Sequence, residues 1–284
     1  MYDIAMFFLP AFVACLVLLG IHVYLGIHVI TRGVIFVDLA LAQIAALGAM
    51  CGLFVGAEPG STESYFVSLG FTFVGAILFT LARSQAKRVP VEAFIGIVYA
   101  VASAVAIIVA NKGPHGADEI QQIMVGSLLV VTPERIAVTA GVYVVIAAIH
   151  YAFREKFLRL SFDPEGAERS GMSIAWWDLA FYATFGVVIS LSVTIGGVLL
   201  VFTFLVVPTV IVALFTQGVG RRLLAGWGVG LVGSVLGLAA SYEFDAPTGA
   251  AVVATFGSLL AVALVARVLI PGEIQTDLSS GSHH

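Results

Sequence analysis

Asp38 and Gln43 are out of keeping with their surroundings, because DLALAQIAALG (residues 38–48) is otherwise Ala, Leu, Ile and Gly. In a lipid interior a carboxylate or an amide is costly, so it faces protein, water or a passing ligand. Two uses suit such groups, a polar contact between helices or the lining of an ion path. At a rise of about 1.5 Å per residue, Asp38 lies about 9 Å and Gln43 about 16 Å beyond Arg32. Five residues apart, they point about 140° away from each other and cannot chelate one ion on a regular helix.

His115, Asp118 and Glu119, in HGADE, form the densest set of metal-ligating residue types in the chain. An imidazole beside two carboxylates on a turn attracts an arriving divalent cation. The same acids at a helix start also serve as N-terminal caps. Their spacing matches no closed structural zinc site. His22 and His28 are six residues apart, not an i, i+4 ligand pair, and read as helix-packing histidines. His150, at the end of its segment, reads as interfacial. Glu243 and Asp245 close a segment just before Pro247, as an ordinary acidic helix boundary that is also able to meet a partner's basic residues.

The elements that carry these residues belong to a membrane. Of 284 residues, 60% are hydrophobic and only 11% charged, with a mean hydropathy of +1.08. A soluble domain needs far more charge to cover its surface. The net charge of -4 argues against a nucleic-acid partner. Nine apolar segments are long enough to be candidate spans, over residues 6–30, 34–56, 65–82, 92–110, 135–153, 175–190, 194–215, 223–241 and 248–270. The expected fold is therefore an all-α polytopic membrane protein of about 8–9 transmembrane helices. A single transmembrane domain would occupy residues 1–272. Residues 273–284 form a tail whose last four, Gly281-Ser282-His283-His284, read as an expression-tag remnant. The sixth and seventh segments together barely exceed two minimal spans, and Gly196-Gly197 at their junction points to a broken or re-entrant helix. Cys15 and Cys51 fall in separate apolar segments and read as packing residues rather than a disulfide. No cleavable signal peptide is expected.

Lys and Arg placement sets the orientation. With the N-terminus outside, Arg32, Arg83, Lys87, Arg88, Arg154, Lys156, Arg159, Arg169, Arg221, Arg222 and Arg267 fall inside, and only Lys112 and Arg135 outside. Glu58, Glu63, Asp118, Glu119, Glu134, Glu243 and Asp245 fall on the outer side, an acidic face suited to cationic cargo or a basic partner. Gly226/Gly230, Gly233/Gly237 and Gly52/Gly56 have GxxxG spacing, which suits close helix packing and a dimer face. No Gly-x-x-x-x-Gly-Lys-Ser/Thr phosphate loop occurs, so the chain does not itself hydrolyse ATP.

Six stretches, in order, resemble the metal-ion ABC transporter permease family, the bacterial zinc, manganese and iron importers. RGVIFVDLALAQIAALG resembles R-x-x-x-F-x-G-D-A-L-S-H-A-x-x-x-G, and VEAFIGIVYA resembles E-D-x-x-I-G-I-x-F. HGADEIQQIMVGSLLVVTP resembles the outer helix ending in G-x-x-L-x-V-x-P, and LSFDPEGAERSG an inner S-F-D-x-x-x-A-x-x-x-G loop. IGGVLLVFTFLVVPTVIVALFT and YEFDAPTGAAVV resemble the family's V-G-x-L-L and Y-x-x-D-x-P-x-G-A stretches. The resemblance implies a type II ABC importer-like permease in a bacterial inner membrane, with its C-terminus cytoplasmic. It implies a homodimer, separate cytoplasmic ATPase subunits and an extracytoplasmic metal-binding protein. No permanently bound cofactor is implied, only a transported divalent metal, with zinc favoured on family frequency and manganese or iron as alternatives. Phe215, Thr216, Gln217, Arg221 and Arg222 would touch the ATPase. Asp38 and Gln43 would line the metal path, with His115, Asp118 and Glu119 at its mouth. The sequence departs from the family at one point: the Asp-x-x-x-His pair of the second helix falls on Leu39 and Gln43. The alternative functions are a permease for chelated iron or cobalamin and a proton-coupled secondary transporter.

Overall fold

The computed structural model describes residues 2–54, 56–57, 61–86, 88–112, 124–126 and 128–269. Ten helices occur among them: α1 (Tyr2–Thr31), α2 (Val37–Phe54), α3 (Thr62–Ser84), α4 (Val91–Ala110), α5 (Pro133–Ala152), α6 (Arg154–Phe162), α7 (Pro164–Arg169), α8 (Ile174–Ala213), α9 (Val219–Glu243) and α10 (Thr248–Leu269). A 3-10 turn, Leu128–Val130, precedes α5. Seven helices (α1, α3, α4, α5, α8, α9 and α10) are long and apolar enough to cross a membrane, and α2 is a shorter apolar helix. Side chains cap several starts. Ser61 accepts from the Ser64 N–H at 3.2 Å, Thr132 from Arg135 at 3.3 Å and Asp163 from Gly166 at 2.9 Å, each satisfying an otherwise free amide. Pro133 and Pro164 stand just inside their helices, where a missing N–H costs nothing.

The sixth and seventh predicted segments are one element, α8, of 40 residues. A straight helix of that length would run about 60 Å, twice the hydrocarbon thickness. The chain breaks instead at Gly197, with φ 72 and ψ 167, as the glycine pair led one to expect. Both limbs reach the same end of α1. Asp178 of the first limb pairs with Arg32 just past α1, and Leu205 of the second limb presses its carbonyl oxygen against Gly26. At Gly26 only a missing side chain permits that approach, since a Cβ would also lie 2.7 Å from the Thr209 hydroxyl. α8 is thus a hairpin that rises from the Arg32 end, turns at Gly197 and descends again. It lies at the centre, packed by α1, α2, α3, α9 and α10, and Phe181, Phe185, Phe204 and Leu205 on it are fully buried.

Gly126, at φ 77, seals the turn by resting directly on Gly196 and Gly197. A Cβ at Gly197 would stand 2.5 Å from the Val125 carbonyl carbon and 2.8 Å from the Met124 oxygen. Extended backbone at positive φ is a region essentially restricted to glycine. Gly197→Ala is therefore expected to destabilise the protein by about 2 kcal/mol or more, read as a lower thermal unfolding midpoint in nanodiscs.

The two GxxxG faces of α9 pack within the chain, which corrects their reading as a dimer surface. Gly226 and Gly230 receive Val23 and Leu19 of α1, while Gly233 and Gly237 receive Phe256 and Val252 of α10. The large exposed apolar side chains instead spread over the first half of α1 and over α3, α4, α5, α9 and α10, faces suited to lipid or to another helix. Cys15 and Cys51 are free thiols.

Candidate functional site

Asp38 lies in the first turn of α2 and is 1% exposed. Its carboxylate lies beside its own N–H and that of Leu39, where the free amides of a helix start favour negative charge. Oδ1 is buried without a hydrogen-bond partner. Glu92, in the first turn of α4, approaches the same place. Its carboxylate faces the N–H groups of Ile35 and Phe36, which places it as a cap on the start of α2 from a neighbouring helix. Its Oε2 is also buried and unpartnered. The two carboxylates lie within electrostatic range of each other. Neither takes part in the ion pairs found among the described residues, which join Arg32 and Arg83 to Asp178. A buried aspartate and a half-buried glutamate, each with an enclosed spare oxygen and no paired cation, are an arrangement that a metal ion relieves.

Gln43 takes another direction, as the angular spacing requires. It is 6% exposed and its amide donates toward the Met124 sulfur at 3.6 Å. Asp38 is fully enclosed rather than reaching for the membrane surface. His115, Asp118 and Glu119 lie outside the described residues. Among the described residues no group of three or more His, Cys, Asp and Glu side chains is placed to hold a metal.

The histidines are fixed in packing roles. His22 Nδ1 lies 2.6 Å from the Leu18 carbonyl and must donate there, which leaves Nε2 without a proton, 3.2 Å from the Ser192 hydroxyl, whose own proton goes to the Val188 carbonyl. Tyr143 completes that layer through the same Ser192 hydroxyl. His150 corrects the reading from its position, since it is buried rather than interfacial. The reason is α6, which folds back so that Phe157 stacks on the imidazole with ring centres 4.1 Å apart. Tyr24 and Thr184 occupy the two ring nitrogens at 3.2 and 2.9 Å.

Below this layer lies a buried ion cluster. The Asp178 Oδ1 atom accepts from Arg32 at 3.1 Å and from Arg83 at 2.9 Å. Arg32 Nε donates to Ser161 at 2.8 Å, and the Ser161 hydroxyl also bonds His28 Nδ1 at 2.7 Å. Arg32 also lies 3.7 Å above the Phe181 ring. Burial pulls the Arg32 guanidinium down to about 10, which leaves it cationic at neutral pH. This cluster ties α1, α3, α6 and α8 together next to the short link that leads into α2. Sequence reasoning did not single out Glu92 or Asp178 as functional candidates. The signals were a glutamate opening VEAFIGIV and a lone aspartate in WWDLAF.

At the same end, the link between α8 and α9 exposes Phe215, Gln217 and Arg221. It is held in shape by Thr216, whose hydroxyl donates to the Val212 carbonyl at 2.5 Å and whose own carbonyl accepts from Arg222 Nε at 3.1 Å.

Residues 4–267 match the ABC 3 transport family. The chain belongs to that family. It is a multi-pass permease subunit, and ATP hydrolysis lies on a separate polypeptide, so a proton-coupled secondary transporter is set aside. It is 27% identical over 202 residues to the manganese transport system membrane protein MntC of Listeria monocytogenes, covering 69% of this chain and 71% of that one. It is 25% identical to the manganese import system permease protein ScaB of Streptococcus gordonii, covering 69% and 73%. A probable iron transport system membrane protein of Haemophilus influenzae is 22% identical, covering 84% and 79%. The fold is that of PsaBC from Streptococcus pneumoniae in complex with Fab, with a TM-score of 0.77 at 21% identity over 91% of both chains. An inward-facing metal-chelate type ABC transporter superposes with a TM-score of 0.69 at 17% identity, over 91% of this permease and 85% of that chain.

Proposed function

We propose that this permease carries divalent metal ions, manganese in preference to zinc, through an ATP-driven importer of a bacterial inner membrane. The observation that carries the reading is the pair of spare, buried carboxylate oxygens on Asp38 and Glu92 at the start of α2. Oxygen donors suit manganese, whereas imidazole suits zinc. Where the family has a histidine, this chain has Gln43, so the path along α2 offers an amide oxygen in place of a ring nitrogen. Relatives with manganese in their names lean the same way, and the preference for zinc drawn from family frequency gives way to these two arguments. Only two protein ligands hold the ion, as a path needs, since the cargo must leave as readily as it enters. Asp38 and Glu92 form the station, Gln43 lines the path beyond it, and His115, Asp118 and Glu119 stand at the outer mouth.

The same reading assigns the partners. The permease works as a homodimer with the N-termini outside and the C-termini in the cytoplasm, the orientation that Lys and Arg placement favours. Phe215, Thr216, Gln217, Arg221 and Arg222 meet the ATPase, and a metal-binding protein delivers the ion from outside. In vesicles reconstituted with the ATPase and the binding protein, uptake of manganese is expected to require ATP and to exceed that of zinc at equal free metal. ATP-independent uptake, or zinc transported faster than manganese, would overturn this assignment.

A further inference from the structure

At the end of the bundle opposite Arg32, a cleft of about 470 Å³ opens between the start of α1, the Leu128–Val130 turn and the α9–α10 corner. Its walls include Phe7, Phe8, Tyr242 and Asp245. The rings form a connected set, with Phe7 edge-on to Phe8 at 5.2 Å and Phe8 edge-on to Tyr242 at 6.1 Å. Phe7 and Tyr242 are 61% and 55% exposed, so their faces are open to an incoming group. Asp245 sits at φ 47, the one non-glycine residue at positive φ among those described. The corner that holds it there is tightly bonded: the Ser241 hydroxyl donates to the Ala246 carbonyl at 2.8 Å and meets the Thr248 hydroxyl at 2.9 Å. Ala246 N–H in turn donates to the Ser241 carbonyl at 3.1 Å. The carboxylate is therefore presented on a fixed turn beside three aromatic rings.

Aromatic faces attract a cation through their quadrupoles, and a carboxylate at the rim adds charge and direction. We propose that this cleft is a docking cage for a lysine or arginine side chain of the extracytoplasmic metal-binding protein. The proposal rests on the orientation and permease reading given above. A lipid ammonium head shares the cationic chemistry but brings a phosphate with it. No basic residue among those described lines the cleft, and Glu243 adjoins Asp245, so that phosphate would meet mainly carboxylate and aromatic ring. A basic protein side chain brings no such anion. In that orientation the outer side as a whole carries eight acidic residues of the sequence, Asp3 included, against Lys112 and Arg135, which favours a basic approaching surface.

The test uses the permease–ATPase complex in nanodiscs, with the metal-loaded binding protein of the same transport system as analyte. Asp245→Asn and Tyr242→Ala are each expected to weaken its binding about tenfold or more, while Tyr242→Phe, which keeps the ring, stays close to wild type. N-acetyl-arginine amide should compete with the wild-type interaction and lose its effect in Asp245→Asn. Affinities within twofold of wild type for both weakened variants would overturn the cage and leave the permease reading intact. So would wild-type binding abolished by removing phosphatidylethanolamine from the nanodisc and restored by that lipid alone. Absence of wild-type binding together with absence of ATP-dependent metal uptake would overturn the permease reading, and the cage with it.

Discussion

Asp178→Ala is expected to destabilise the permease by about 3–5 kcal/mol, the range for stripping one partner from a buried ion cluster. The Asp178 side chain is 2% exposed and that of Arg32 is fully buried, so removing the carboxylate leaves a guanidinium enclosed with no counter-charge. Arg83 is 18% exposed and can turn its head outward, as long basic side chains do at a membrane boundary. The cost should thus fall mainly on Arg32. Arg32→Met on the Asp178→Ala background should recover much of the loss, because the second change removes the stranded charge. Thermal unfolding of the four members of this cycle in nanodiscs measures the coupling. A single Asp178→Ala variant within about 1 kcal/mol of wild type would show that the cluster is exposed to water and of little structural weight. Because Arg32 stands at the link into α2, the same variants should also disturb the placement of Asp38.

Glu92 gives the second large effect, and two substitutions separate its two roles. Glu92→Gln keeps an oxygen facing the Ile35 and Phe36 N–H groups but removes the charge. Stability should hold, while metal uptake falls on the order of tenfold to a hundredfold, the loss seen when even a supporting group of a metal site is removed. Glu92→Ala also uncaps α2, which adds about 1 kcal/mol of destabilisation. If Glu92→Gln transports at the wild-type rate, the residue is only a cap. If Glu92→Ala and Glu92→Gln are equally stable, it is not a cap at all.

Several of these features were legible in the sequence, and the reasons differ from place to place. Asp38 stood out because a carboxylate in an apolar helix has few uses, and its divergence from Gln43 followed from helical geometry alone. The break in α8 was legible in a paired glycine within a stretch too long for one span and too short for two with a loop. The cluster around Asp178 was not, because its counter-charges come from 146 and 95 residues away. Spacing along one helix cannot show which distant helix lies against it. His150 was misplaced for a related reason: the end of a helix looks interfacial until α6 folds back and lays Phe157 on the ring. The GxxxG spacings correctly signalled close packing, but a spacing does not say whether the partner is the same chain or another. Glu92 lay in a recognised stretch, yet its role depends on a turn, Ile35–Phe36, that only the fold brings beneath it.

The most direct test of the central claim compares initial rates of ATP-dependent manganese uptake for wild type and for Asp38→Asn with Glu92→Gln, in vesicles that also contain the ATPase and the binding protein. Equal amounts of assembled complex must be present in both. The carboxylate station predicts that the double variant assembles normally and that its uptake falls by about a hundredfold or more. Undiminished uptake by the double variant would contradict it.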